Sequence, residues 1–338
     1  MKVIDLESIQ QAFDPVEAID VMRQALVAQA RGECDTPMPM HLSIPSEEAE
    51  VHIKSSYREG GDYFAVKVAS GFPKNVERGL SSGSGTVLLL SAETGQPVAL
   101  LADEGFLTDA RTAAVSALVS RELGRSDTSL GILGSGIQAR LQAQMHASVL
   151  DLERIWIWGR TPERVEVCAR ELGEVLPGAE VKIASTPSEV ARNTRLITTV
   201  TAARRPLLSA ADLQPGTHIA AVGSDSPGKQ ELDPDILEHA SLVLVDSLEQ
   251  CERLGELQHA IHLRESVVEA GAFFDSPMGY DPEGPTVCDF TGLGVEDLFI
   301  ARYVYETQVG EGVSVQQGAG RKRGLVRGPE SQDNGSVR

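Results

Sequence analysis

The sequence predicts an α/β protein: a doubly wound parallel sheet over its second half, preceded by an α+β unit. Three observations carry this. Strand-like runs at 129–134, 154–158, 180–184, 195–200, 217–222 and 242–245 alternate with helical stretches, the pattern of parallel strands joined by crossover helices. The run Leu130-Gly131-Ile132-Leu133-Gly134-Ser135-Gly136-Ile137-Gln138-Ala139 opens that series with a glycine turn between a strand and a helix. Before residue 125 the texture differs, with strands following one another directly.

In chain order, Asp14 and Pro15 start a helix as N-cap and first helical residue. Ile19, Met22, Ala25 and Leu26 form its apolar stripe, and Gly32 ends it. Residues 51–57, 62–70, 85–91 and 97–102 read as strands, with a turn at Gly95. In the second of these, Phe64, Val66 and Val68 face one side and Tyr63, Ala65 and Lys67 the other. Residues 71–84 read as a Gly/Ser-rich loop able to line a site, and a helix runs from near Thr108 to Gly124. After the alternating region, 296–308 form one more helix that returns to the first unit. The tail is polar and is expected to be disordered. The predicted division is 1–125 completed by 301–312, then 126–300, with 313–338 as the tail.

Composition narrows the functional classes. With 30 Lys+Arg against 49 Asp+Glu, the net charge of −19 argues against nucleic acid as a partner and against a basic membrane anchor. No run of about 18 apolar residues exists to span a membrane, and Met1-Lys2-Val3-Ile4-Asp5 does not open a signal peptide, so a cytoplasmic protein is expected. Cys34, Cys168, Cys251 and Cys288 form no C-x-x-C pair, and no His cluster has zinc-ligand spacing along the chain, so free thiols and no metal are expected.

Gly134, Gly136 and Ala139 fit G-x-G-x-x-A, in which the first glycine allows the tight turn and the second lets backbone approach a pyrophosphate. The small third residue packs helix on strand, and Ile137 and Gln138 begin a helix whose free N–H groups suit an anion. This predicts a Rossmann-type dinucleotide site. The next strand ends in Trp158-Gly159-Arg160-Thr161-Pro162, without the acidic residue that binds a ribose 2′-hydroxyl. A guanidinium at Arg160, with Thr161 beside it at the cofactor, favours NADP(H), with NAD(H) left open. In the plainer reading Thr161 caps the next helix and Arg160 is solvated.

Four polar residues stand where chemistry could occur: Lys67 on a strand, Arg111 in the first turn of a helix, and Asp225 and Lys229 after the strand 217–222. Taken singly, Lys67 could be an exposed strand lysine. Arg111 could pair with Asp109 or a glutamate, and Asp225 could cap the turn Ser226-Pro227-Gly228.

The combination resembles the ornithine cyclodeaminase/mu-crystallin family. The resemblance rests on His52-Ile53-Lys54, Phe64-Ala65-Val66-Lys67-Val68, Gly83-Ser84-Gly85-Thr86-Val87 and Leu107-Thr108-Asp109-Ala110-Arg111-Thr112-Ala113-Ala114. It continues through Gly134-Ser135-Gly136-Ile137-Gln138-Ala139-Arg140, Val222-Gly223-Ser224-Asp225-Ser226-Pro227-Gly228-Lys229-Gln230-Glu231-Leu232 and Thr291-Gly292-Leu293-Gly294-Val295-Glu296-Asp297. It implies a homodimer with an α+β dimerisation/substrate domain and a nucleotide domain. The implied reaction lies at the C–N bond of a small amino acid or cyclic imine: an imine reductase or amino-acid dehydrogenase, or alternatively a cyclodeaminase that recycles bound NAD, or a non-catalytic ligand-binding protein. By the same resemblance Asp225 is the general acid/base, while Lys67 contacts the substrate carboxylate or polarises the reacting group. Arg111 touches cofactor and substrate, and Lys229 and Thr291 lie near the substrate. Ser82, Thr112, Thr201, Val222, Gly223 and Phe290 line the cofactor. One departure stands out: the arginine that many members carry near Pro39 or Met40 is missing, leaving Arg58, Lys54 or His41 to compensate.

Overall fold

A computed structural model describes residues 1–124 and 127–310. The expected tail at 313–338 and the end of the segment 301–312 lie outside the described residues.

The first part of the chain builds one sheet and its covering helices. In order these are β1 (Lys2–Asp5), α1 (Leu6–Ala12), α2 (Pro15–Ala30), β2 (Cys34–Asp35), β3 (Met40–Ile44), β4 (Ala49–Arg58), β5 (Tyr63–Gly71), β6 (Gly83–Ser91), β7 (Pro97–Ala102) and α3 (Phe106–Leu123). The sheet order is β1-β7-β6-β5-β4-β2, with β3 also paired to β4. The Asp14 carboxylate accepts from Val16 N and Glu17 N, so the predicted cap starts α2. The sheet is larger than the sequence suggested, because β1, α1, β2 and β3 are short or lack a clean period. The segment 71–84 is only partly loop: β5 runs to Gly71, a 3₁₀ turn spans Pro73–Arg78, and β6 starts at Gly83.

The second part is the doubly wound layer. It contains β8 (Ser129–Leu133), α4 (Ile137–Ala147), β9 (Arg154–Trp158), α5 (Pro162–Val175), β10 (Glu180–Ile183), α6 (Pro187–Asn193), β11 (Leu196–Thr199), β12 (Arg204–Leu208) and β13 (His218–Ala221). It continues with β14 (Gln230–Leu232), α7 (Pro234–His239), β15 (Leu242–Val245), α8 (Leu248–Leu254), β16 (Val268–Glu269), α9 (Ala270–Asp275) and β17 (Thr286–Asp289), and α10 (Gly294–Gly310) closes the described chain. Eight strands run in the order β10-β9-β8-β11-β13-β17-β15-β16, with every pairing parallel. The chain reverses direction across the sheet between β8 and β11, which opens a crevice at the carboxyl edge. β17 was not legible: it is a four-residue strand, wholly buried, inserted between β13 and β15.

The two parts share a core. α3 contributes Phe106, Leu107, Ala110, Ala114 and Leu118, and Leu141 and Met145 of α4 pack into the same cluster. Across this contact His146 Nε2 lies 2.9 Å from Ser120 Oγ, and burial pulls the imidazole down to about 4. α10 returns to the first sheet, lying over β4, β5 and β6. Phe299 in α10 is buried beneath the Arg302 and Arg58 guanidinium groups, 5.1 and 5.8 Å from its ring centroid.

Candidate active site

The carboxyl edge of the parallel sheet faces β4, β5 and α3 across a cleft of about 200 Å³. Its walls are His52, Lys54, Lys67, Ala69, Thr108, Asp109, Arg111, Thr112, Val115, Gln138, Val222, Asp225, Phe290, Thr291, Gly292 and Glu296. Lys67, Arg111, Thr112, Gln138, Val222, Asp225, Phe290 and Thr291, predicted from sequence, thus share one cavity.

Strand register explains the cationic wall. Lys54 on β4 pairs directly with Lys67 on β5, so both side chains leave the same face. Lys67 is 1% exposed, not the solvated strand lysine that pattern alone allowed. Such burial demands counter-charges, and the first turn of α10 provides them. Lys67 Nζ is 2.8 and 2.9 Å from the two oxygens of Asp297. Arg111 Nη1 reaches Glu296 Oε2 at 3.0 Å and its Nε lies 3.4 Å from Asp297. Lys54 Nζ donates to the Gly292 and Thr291 carbonyls at 2.7 and 3.2 Å. Burial is the main force pulling Lys67 down to about 7, Arg111 and Lys54 add to it, and Asp297 resists. Burial likewise pushes Glu296 up to about 7 against the pull of Arg111. Lys54, Lys67 and Arg111 meet Glu296 and Asp297 here, and the buried Asp246 carboxylate also acts on Arg111 and Glu296. Thr108 Oγ1 in the wall and Glu296 Oε1 are buried without a hydrogen-bond partner among the described residues.

Gly292 makes this cluster possible. Its φ is +78°, and a Cβ there would lie on the Arg111 guanidinium. The Asp246 carboxylate fixes the same loop, accepting from Thr291 N at 2.8 Å and Gly292 N at 2.6 Å.

Asp225 follows β13 on the opposite side of the cleft. Burial works to raise its carboxyl, but Lys229, with Nζ 2.5 Å from Oδ1, outweighs it together with Lys54 and Ser226, so the group stays below the usual carboxylate range. Lys229 does not line the cleft itself; it pairs with Asp225, which does.

The glycine turn sits at the end of β8. Gly134 has φ +140°, and a Cβ there would lie 2.6 Å from Val200 Cγ2. At Gly136, the N-cap of α4, a Cβ would meet nothing within 4 Å. The α4 terminus has no side-chain cap and no acidic residue in its first turn, unlike the Asp14-capped α2. These features fit a dinucleotide pyrophosphate. Gln138 Nε2 ties this terminus to α3 by donating to Asp109 O and Oδ1 at 3.1 and 3.2 Å.

Other predicted residues lie elsewhere. Arg160 is exposed and has no ion-pair partner among the described residues, and Thr161 is the N-cap of α5 without a side-chain bond. Ser82 is exposed on the β5–β6 connection, outside the cleft lining, and accepts from Phe72 N at 2.7 Å through its carbonyl. Thr201 gives both its donors to Glu231 Oε1, and Gly223 N donates to Glu231 Oε2 at 3.0 Å. Glu231 is 0% exposed, and burial pushes it up to about 7; it clamps the ends of β11 and β13, a role sequence reasoning missed. Glu296 and Asp297 were missed as counter-ions. Of the three candidates to replace the absent arginine, Lys54 lines the cleft, His41 sits beside the lining residue His52, and Arg58 is held away by Glu33 at 2.8 Å.

The sequence model of the ornithine cyclodeaminase/mu-crystallin family matches residues 2–312. The chain belongs to this family. A Rhizobium meliloti relative described as a dehydrogenase is 38% identical over 297 residues, covering 86% of this chain and 90% of its own. Among solved structures, the Thermococcus litoralis Δ1-pyrroline-2-carboxylate reductase, held with NADH and L-proline, is 26% identical with a TM-score of 0.84 over 92% of this chain and 98% of that one. The Paracoccus denitrificans iminosuccinate reductase with NAD+ is 29% identical, TM-score 0.82, over 93% and 98%. An archaeal alanine dehydrogenase dimer with bound NAD is 25% identical, TM-score 0.81, over 92% and 97%. Family membership accounts for the α/β fold with its Rossmann-type layer. Among the described residues, no helix is long and apolar enough to cross a membrane.

Proposed function

We propose that the protein is a nicotinamide-dependent oxidoreductase that reduces a small imino acid or cyclic imine, or runs the reverse amino-acid dehydrogenation. The observation that carries this is the pairing, across one cleft, of an ionised Asp225 with the cationic wall of Lys54, Lys67 and Arg111. The dinucleotide supplies or accepts a hydride when bound. Gly134, Gly136, Ile137 and Gln138 would hold its pyrophosphate, with Thr112, Val222, Gly223, Phe290 and Arg111 near its other end. Glu231 positions the Thr201 and Gly223 backbone for it.

The chain's own residues divide the remaining work. Lys67 and Arg111 bind the substrate carboxylate. Thr108 offers a neutral polar contact, while the Thr291 hydroxyl is held by Asp246 and Gln250. Asp225 faces the substrate nitrogen and stabilises its iminium charge. In reduction, hydride addition at carbon turns the C=N bond into C–N and consumes the iminium charge at nitrogen; the amine then takes up a proton. In the reverse direction Asp225 accepts the proton from the ammonium. Lys229 holds the Asp225 carboxylate in place.

The decisive assay follows dinucleotide oxidation with a panel of cyclic imines and with keto acids plus amines. Robust imine reduction supports the assignment. Ammonia release from a diamino acid without net dinucleotide turnover would replace it with a cyclodeaminase.

Titration of Lys67 predicts a pH effect. Lys67 is cationic below about 7 and loses its proton above it. The KM for a carboxylate substrate is therefore expected to rise as pH climbs through that value, while dinucleotide binding changes little. A KM that stays flat between about pH 6 and about pH 9 would remove Lys67 from the carboxylate site.

We also propose a preference for NADP(H), supported by the exposed Arg160, which has no ion-pair partner among the described residues, and by the absence of an acidic residue at 159–161. Arg160→Ala is expected to lower the NADPH-over-NADH ratio of kcat/KM by roughly 10-fold or more, the loss of one charge-assisted contact. An unchanged ratio would fit the NAD(H) seen in the solved relatives.

A homodimer is proposed through the outer face of the first sheet. Met40 and Leu42 are 58% and 48% exposed, and Met40 continues in register into Ile53 and the exposed Val68. This contiguous apolar strip faces away from the cleft and suits a second copy. The four free cysteines fit a reducing compartment such as the cytoplasm.

A further inference from the structure

The β3–β4 pair carries ligating side chains that the proposed reaction does not use. His41 pairs with His52 directly across the antiparallel register, and Glu50 precedes His52 by two residues. All three therefore project from one face of the ribbon. His41 Nε2 is 3.4 Å from one oxygen of Glu50, and His52 Nε2 is 3.7 Å from the other. The ring centroids are 4.9 Å apart, and one ligand atom from each residue lies within 4.8 Å of the others.

Bonds to Zn²⁺ of the usual length separate tetrahedral ligand atoms by about 3.4 Å. Both carboxylate separations are already close to this. The side chains are 47%, 42% and 24% exposed, so they can rotate to close the remaining gap. Two imidazoles and one carboxylate form a nitrogen-rich donor set, which selects zinc-like ions over calcium or magnesium. The nearby Lys229 ammonium would oppose a cation, but Asp225 already pairs with it at 2.5 Å. Along the sequence the histidines are too far apart to form a linear motif; only the strand register brings them together.

We propose that His41, Glu50 and His52 bind a divalent transition-metal ion of the zinc class at the rim of the cleft. Three protein ligands leave a fourth position for water or a carboxylate. Because His52 also lines the cleft, the ion would form part of its wall.

Chelator-stripped, full-length protein is titrated with Zn²⁺ by calorimetry and with Co²⁺ by visible absorption. One ion per chain is expected, with the intense bands of four-coordinate Co²⁺. His41→Ala and Glu50→Gln should each weaken binding by more than about 10-fold, since even outer-shell partners of metal sites cost that much. Glu50→Gln, at a residue outside the cleft lining, should keep the metal-free turnover and melting midpoint of the unaltered protein. His262→Ala, at the exposed His262–Glu238 pair, should bind the ion normally. The assignment fails if the unaltered protein takes up no ion, or if both His41→Ala and Glu50→Gln bind Zn²⁺ as tightly as it does.

Discussion

Asp225→Asn is expected to lower kcat for imine reduction by about 10²- to 10⁴-fold, the range for loss of a positioned acid/base group. Asparagine keeps the size of the side chain but removes the charge that stabilises an iminium. The glycine turn and the α4 terminus are untouched, so dinucleotide affinity should be nearly unchanged in a fluorescence titration. Stability should also hold, because the Asp225 side chain is 46% exposed and surface ion pairs contribute little. Turnover close to that of the unaltered protein would remove Asp225 from the chemistry. A parallel loss of dinucleotide affinity would instead place it at the cofactor.

Lys67→Met is expected to destabilise the fold by about 3–5 kcal/mol at a pH where Lys67 is protonated, the cost of removing the main partner of a buried charge and leaving only Arg111 beside it. Methionine fills a similar volume, so the loss reports on charge rather than on a cavity. Adding Asp297→Leu should recover most of the stability, since a buried pair replaced by apolar groups is often neutral. Activity should not return with it. Urea unfolding at constant m measures all three variants. The sign of the pH dependence follows from Asp297. Burial raises its carboxyl, but Lys67 and Arg111 together hold it below its ordinary value. The stability from this pairing is present between the ordinary carboxylate range and about 7, where Lys67 gives up its proton, and is lost as pH falls through the lowered Asp297 value. The gap between Lys67→Met and the unaltered protein should therefore narrow on acidification. A single variant within about 1 kcal/mol of the unaltered protein, or a double variant worse than the single, would contradict the ion-pair account.

Local signals made the layered architecture readable. The alternation in β5, the apolar run of β8 and the Asp14-Pro15 start of α2 each follow from neighbours in the chain. β17 escaped because Thr286-Val287-Cys288-Asp289 has no distinctive pattern. Its Asp289 is satisfied by Glu256 N and Leu257 N, more than thirty residues away. The site shows the same division. Lys67, Arg111 and Asp225 could be named from motifs, but Glu296 and Asp297 read as ordinary acidic residues complementing a helix N-terminus. Only the return of α10 over the first sheet makes them counter-ions. Thr201, expected at the cofactor, gives its donors to Glu231, a partner thirty residues on that no local pattern reveals.

The ion cluster also bears on how the polypeptide is made. Asp297 lies 230 residues beyond Lys67, and Glu296 lies 185 beyond Arg111. A ribosome releases the cationic strands and helix long before the acidic segment that neutralises them. Until that acidic segment emerges, Lys67 and Arg111 lack these partners and stay hydrated. Final closure therefore waits on a contact of very long sequence separation, the kind that slows folding.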